Sequence, residues 1–185
     1  VYAFGLVALG AVACVVAVAT TPEVKPLQGV SAVTNVDGRS VIDPGGKAVT
    51  IRGATDESGV LLTVLDGGDS TRMLQCVSGE GPDTIFENLV IQNGFNRLEG
   101  GGMYNASSSP TLANCTFTGN SGFAGSGMYN TDSSSPILTG CGLCGNSPNQ
   151  IVGDYTEKGV NCITEVCDTD GDGIPDCTDT EECDG

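Results

Sequence analysis

Histidine and tryptophan are absent from the 185 residues, and aromatic side chains make up only 5% of them. Without imidazole, the common zinc sites that pair histidine with thiolate are not available. Positive charge is nearly as scarce, with 7 Lys and Arg against 23 Asp and Glu and a net charge of −16. Such a surface repels a phosphate backbone, which excludes nucleic-acid binding. What abounds instead is glycine, at 28 residues, beside nine cysteines. This composition favours many tight turns over bulky core packing and argues against helix-rich classes. Nine cysteines without histidine read as disulfides formed in an oxidising compartment.

The first 19 residues agree with that compartment. Val1 to Ala19 carries no charge, is almost wholly apolar and small, and closes with Ala17-Val18-Ala19 ahead of Thr20. That is the form read by signal peptidase, so residues 1–19 are expected to be an export signal, with Cys14 removed and no membrane association afterwards. No basic n-region or initiator Met precedes it, as expected of a fragment starting inside its own signal. The competing reading is a retained hydrophobic segment, because about 20 apolar residues span a bilayer. Residues 20–40, with Pro22 and Pro26, read as a linker.

From Gly102 to Asn120 and again from Gly127 to Asn146 the chain repeats itself: Gly-Met-Tyr-Asn, serines, Pro-x-Leu, cysteine, Gly-Asn. The offset is 25 residues at Met103/Met128 and 26 from Pro110/Pro136 onward. Such a period marks stacked coils. Leu112 and Cys115 are three apart and cannot share one face of a straight strand, so a corner lies between them. The corner residue is Asn114, matched one period away by Asn88 and Gly140. Asn and Gly tolerate positive φ best. On this reading Phe86, Leu112 and Leu138 form one inward ladder; Leu89, Cys115 and Cys141 a second; Ile91, Phe117 and Leu143 a third. The expected fold is all-β, a right-handed parallel β-helix over residues 41–160, with a β-sandwich as its rival. Upstream, residues 48–53, 62–67 and 73–78 read as strands of the first coils, in no fixed register, with Gly45-Gly46 and Gly67-Gly68 as turns.

The strings GGGMYNASSSPTLANCTFTGN and GSGMYNTDSSSPILTGCGLCGN resemble the β-helix repeats of polymorphic outer membrane proteins, with Phe117 to Asn120 as the Phe-x-x-Asn element. The second copy has Leu143 in place of phenylalanine. The resemblance implies a surface or secreted protein, often an adhesin or scaffold. Other relatives of the fold are polysaccharide lyases and hydrolases, whose chemistry, as that likeness implies, needs a basic residue beside calcium-binding carboxylates or aspartates attended by histidine. Here there is no Asp-Asp dipeptide, and Arg39, Arg52, Arg72, Arg97 and three lysines are scattered. A cross-coil acid pair drawn from Asp66, Asp69, Glu87 or Asp132 would leave no motif; solvated turn residues are the plainer reading.

One motif carries defined chemistry. From Asp168 to Asp179, carboxylates occupy loop positions 1, 3, 5, 9 and 12 and Gly173 sits at position 6. Calcium takes oxygen ligands on a short, sharply turning loop: Asp168, Asp170 and Asp172 by side chain, Ile174 by its carbonyl, Asp176 through water, and Asp179 at the closing position. Aspartate there is shorter than the usual glutamate, which weakens bidentate closure. Nine acids and no base fall in residues 165–185, a cluster that repels itself without a cation. A disordered acidic tail is the alternative. Residues 161–185 resemble a thrombospondin type 3 repeat.

Cys115 and Cys141 share a ladder level, either bridged or stacked as buried thiols, the latter favoured. Cys141 and Cys144 form a C-x-x-C, which in an exported strand is a poor redox candidate. Cys162, Cys167, Cys177 and Cys183 lie in or beside the calcium loop, where disulfides would replace missing packing. Asn105-Ala106-Ser107 and Asn114-Cys115-Thr116 fit the glycosylation pattern incidentally. Tyr104 and Tyr129 are expected to stack for packing rather than to meet a sugar. The chain therefore reads as an exported, non-catalytic cell-surface or extracellular structural or adhesion module that binds calcium, with a glycan or cell-surface protein as partner. A carbohydrate-active enzyme and a filament subunit self-associating through its end coils are the rivals.

Overall fold

A computed structural model of the protein describes residues 18–19 and 42–167. Most of the expected signal, the linker and the whole calcium loop, with Cys177 and Cys183, lie outside the described residues.

The chain forms a parallel β-solenoid of about three turns, and among the described residues there is no helix. The first sheet stacks Thr50–Arg52, Ile85–Glu87, Thr111–Ala113, Ile137–Thr139 and Thr156–Glu157; the second stacks Val64–Asp66, Val90–Gln92, Thr116–Thr118, Gly142–Cys144 and Cys162–Ile163. The third holds Leu74–Cys76, Met103–Ala106, Met128–Thr131 and Ile151–Val152, and a two-stranded ribbon pairs Phe95–Glu99 with Ser121–Ala124. Every pairing among these strands is parallel; Val18–Ala19 alone runs antiparallel, on the free edge of Thr50–Arg52.

Most strands are three residues long because corners cut them short, and most of these point one apolar side chain inward. Strand pairing stacks these as Ile51, Phe86, Leu112 and Leu138 on the first sheet and Leu65, Ile91, Phe117 and Leu143 on the second. Leu74, Met103 and Met128 complete the core on the third. Neighbouring rungs lie about 4.8 Å apart, so each residue touches its equivalent one coil away. The three ladders expected from the repeat are all buried.

The corner is where the sequence placed it. Asn88, Asn114 and Gly140 have φ of 58°, 50° and 63°, and Asn114 Nδ2 donates to Asn88 Oδ1 at 2.9 Å. One coil earlier Gly53 follows in register with Asn88 but without the positive φ, and a Cβ on it would lie 1.9 Å from the Asn88 carbonyl oxygen. The upstream strands are those expected, trimmed at their ends, and pairing Thr50 with Ile85 and Val64 with Val90 supplies their register.

Candidate functional site

Between the first strands of the first and second sheets, the first coil carries an inserted hairpin. Thr55 bridges Leu61, and Asp56 Oδ1 accepts from the Ser58 and Val60 backbone N–H groups at 2.8 and 2.9 Å. The hairpin tip lies over the corner column, and at the opposite end of the stack the last coil brings up Val160. Between them runs a groove of about 480 Å³. Its floor is Asn114 and Thr116 in one coil and Gly140, Cys141 and Gly142 in the next. Gly142 pairs in register with Thr116, so the hollow lies where the second repeat replaces an asparagine and a threonine by glycine. Val60 and Val160, exposed by 58% and 80%, stand at the mouth.

No residue lining the groove carries a charge. Its floor backbone is spoken for: Asn114 N–H donates to Thr139 O, Thr116 N–H to Leu89 O and Gly142 N–H to Cys115 O, at 2.8 to 2.9 Å. The Cys141 N–H donates to Asn161 Oδ1 at 2.9 Å. The Asn114 carboxamide differs. Its Nδ2 is used on Asn88, but the next rung is glycine, so its Oδ1 accepts nothing among the described residues.

Of the acids weighed as a catalytic pair, Asp66 and Asp69 lie beside the same Asn93, and Glu87 and Asp132 belong to other elements. Glu87 lies on the first sheet in a salt bridge with Arg52. Asp66 ends a strand of the second sheet and accepts from Gln92 Nε2, Gly68 N–H and Asn93 Nδ2. Burial pushes the Asp66 carboxyl up, but those hydrogen bonds outweigh it and hold it below the ordinary value. Asp69 and Asp132 sit in turns at φ of 53° and 52°. Among the described residues no three metal-ligating side chains come together.

The cysteines separate into two groups. Cys76, Cys115 and Cys141 are buried thiols. The Cys115 and Cys141 Sγ–H groups donate to the carbonyls of Phe86 and Leu112, each at 3.5 Å. Burial, then the neighbouring Cys141 thiol, pushes Cys115 well above the usual thiol range; burial, then Glu80 and Asp43, does the same to Cys76. Cys76 and Cys115, held protonated, are therefore poor nucleophiles. Cys144 instead forms a disulfide with Cys167. Thr118 donates a hydrogen bond to Cys167 Sγ at 3.4 Å. The disulfide thus pins the chain one residue before Asp168, while Asp168, Asp170, Asp172, Ile174, Asp176 and Asp179 themselves lie outside the described residues.

Tyr104 and Tyr129 stack with centroids 5.9 Å apart and planes 3° apart. The Arg72 guanidinium covers the other face of Tyr104 at 4.6 Å and bonds the carbonyls of Gly100 and Glu99. Both faces of Tyr104 are therefore taken, and its role is packing. Asn105, the first residue of one glycosylation pattern, is fully buried, with Nδ2 bonded to Asn130.

Glu80 is a buried residue that the sequence did not single out. Its carboxylate accepts from Gly46 N–H at 2.7 Å, Ser78 N–H at 2.8 Å and the Ser108 hydroxyl at 2.9 Å. A further column joins Asn120, bonded to Gly94 N–H and Ile91 O, with Asn146, bonded to Phe117 O. This gives the asparagine of Phe-x-x-Asn its physical work: it satisfies backbone groups at a second buried corner. Compared with known proteins, the chain matches no family profile, no curated protein and no solved structure.

Proposed function

We propose that the protein is an exported, non-catalytic structural or adhesion solenoid, similar in its repeats to polymorphic outer membrane proteins, whose thrombospondin type 3-like tail binds calcium. The observation that carries this reading is the Cys144–Cys167 disulfide. It supports an oxidising destination. It also fixes the residue preceding the Asp168 to Asp179 loop to the final coils, so that a calcium-stiffened tail would project from a rigid base rather than from a free end. Three acids on the solenoid are engaged in holding the fold, Glu87 by Arg52, Asp66 by amides and Glu80 by backbone N–H groups, which supports a binding role over catalysis.

Calorimetric titration of the whole chain with calcium tests this. The parent should release or absorb heat with a saturable profile, and an Asp170→Ala, Asp172→Ala variant should not. Equal traces from the two proteins would overturn the calcium reading.

A further inference from the structure

We propose that the groove between the 55–61 hairpin and Val160 is a binding site for an uncharged oligosaccharide. This rests on the groove's own chemistry and does not depend on the calcium reading.

The first consideration is charge. The chain as a whole carries −16, yet the groove is lined without a single ionised side chain. An anionic ligand such as a uronate chain would meet the molecule's repulsive field with no lysine or arginine to receive it. A cationic ligand would find no carboxylate. A neutral ligand loses nothing.

The second is hydrogen bonding. An extended peptide docks by pairing with a free strand edge, but the floor N–H groups of Asn114, Thr116, Cys141 and Gly142 already donate within the solenoid. A purely apolar ligand would strip water from the Asn114 carboxamide oxygen and the Thr116 hydroxyl without replacing it, which disfavours binding. The groove therefore offers the Asn114 carboxamide oxygen and the Thr116 hydroxyl on its floor and C–H surface from Val60, Leu61 and Val160 on its walls. A sugar presents the complement: hydroxyls around its edge and C–H groups on its faces. The lining spans three successive coils, at Asn114, Gly140 and Cys162, about 10 Å along the stack, which suits a short run of rings better than a single one.

The third is how the hollow is made. Asn88 and Asn114 continue an amide ladder that Gly140 breaks. At φ of 63° a Cβ on Gly140 would meet nothing nearer than 3.9 Å. Asparagine fits there as it does at the two earlier rungs, so Gly140→Asn should fold, extend the ladder onto the Asn114 Oδ1 and fill the hollow.

The test is an amide-resolved NMR titration of the whole chain with cellohexaose, xylohexaose and mannohexaose, and with hexagalacturonate as the charged control. At least one neutral hexamer should shift the resonances of Val60, Asn114 and Val160 in a saturable way. Gly140→Asn, with the rest of its spectrum unchanged, should weaken that binding at least tenfold, and Thr116→Val should weaken it by a smaller factor. Failure of all three neutral hexamers to perturb the groove, undiminished binding by Gly140→Asn, or equally tight binding of hexagalacturonate would each overturn the proposal.

Discussion

Glu80 is held by donors without charge. Two backbone N–H groups and the Ser108 hydroxyl surround its carboxylate, and the Ser108 N–H continues the column to the Ser134 hydroxyl at 3.0 Å. Burial disfavours the charged form, but these bonds outweigh it and set the Glu80 carboxyl below its ordinary value. A carboxyl depressed in the folded state adds stability above its unfolded pKa and loses it as pH falls through the folded one. Glu80→Gln, which turns an amide N–H toward one of the backbone donors, should cost about 2 kcal/mol at pH 7. In urea unfolding, the gap between parent and variant should then close as pH drops below about 4. A gap that stays constant as pH is lowered from 7 through the acid range would mean that shape, not charge, is what Glu80 supplies.

At the scale of the element, the corner decides the strand. Asn114 holds φ at 50° and links to Asn88, so two effects separate by substitution. Asn114→Gly keeps the backbone freedom and loses the amide bond, which should cost about 1 kcal/mol. Asn114→Ala loses both and should cost about 2 to 3 kcal/mol by denaturant unfolding. Equal losses would show that the left-handed geometry adds nothing. This corner was legible because one local constraint recurs at one spacing, and so were the ladders that hang from it. The first coil was not: its hairpin stretches the offset between Thr50 and Ile85 to 35 residues, which hides the alignment of Gly53 with Asn88. Glu80 was hidden for a related reason, since the N–H groups it accepts from are contributed by Gly46 and Ser78, 34 and 2 residues away. The groove arises from side chains that Gly140 and Gly142 lack, and an absence in a repeat reads in sequence as tolerated variation.

Across the whole molecule, each coil contacts only its neighbours, so stability is a sum of local terms rather than one core. The middle coils bury Phe86, Phe117, Ile91 and Leu112 completely. The last coil has Thr156–Glu157 exposed and Ile163 half-buried, with strand neighbours on one side only among the described residues. It is joined to the coil before it by backbone hydrogen bonds such as Thr156 N–H to Pro136 O and Cys162 N–H to Cys141 O, and the Cys144–Cys167 disulfide adds a covalent tie across a 23-residue separation. In the chain-entropy account, a loop of that size is worth about 3 kcal/mol. Replacing both cysteines by serine should therefore release the end coil without melting the centre. Hydrogen exchange would show it directly: protection should fall at Ile151–Val152 and Cys162–Ile163 and remain at Val90–Gln92 and Thr116–Thr118. Protection lost evenly over all coils would instead show that the stack unfolds as one unit, and that the disulfide stabilises the whole solenoid rather than the platform from which the acidic tail departs.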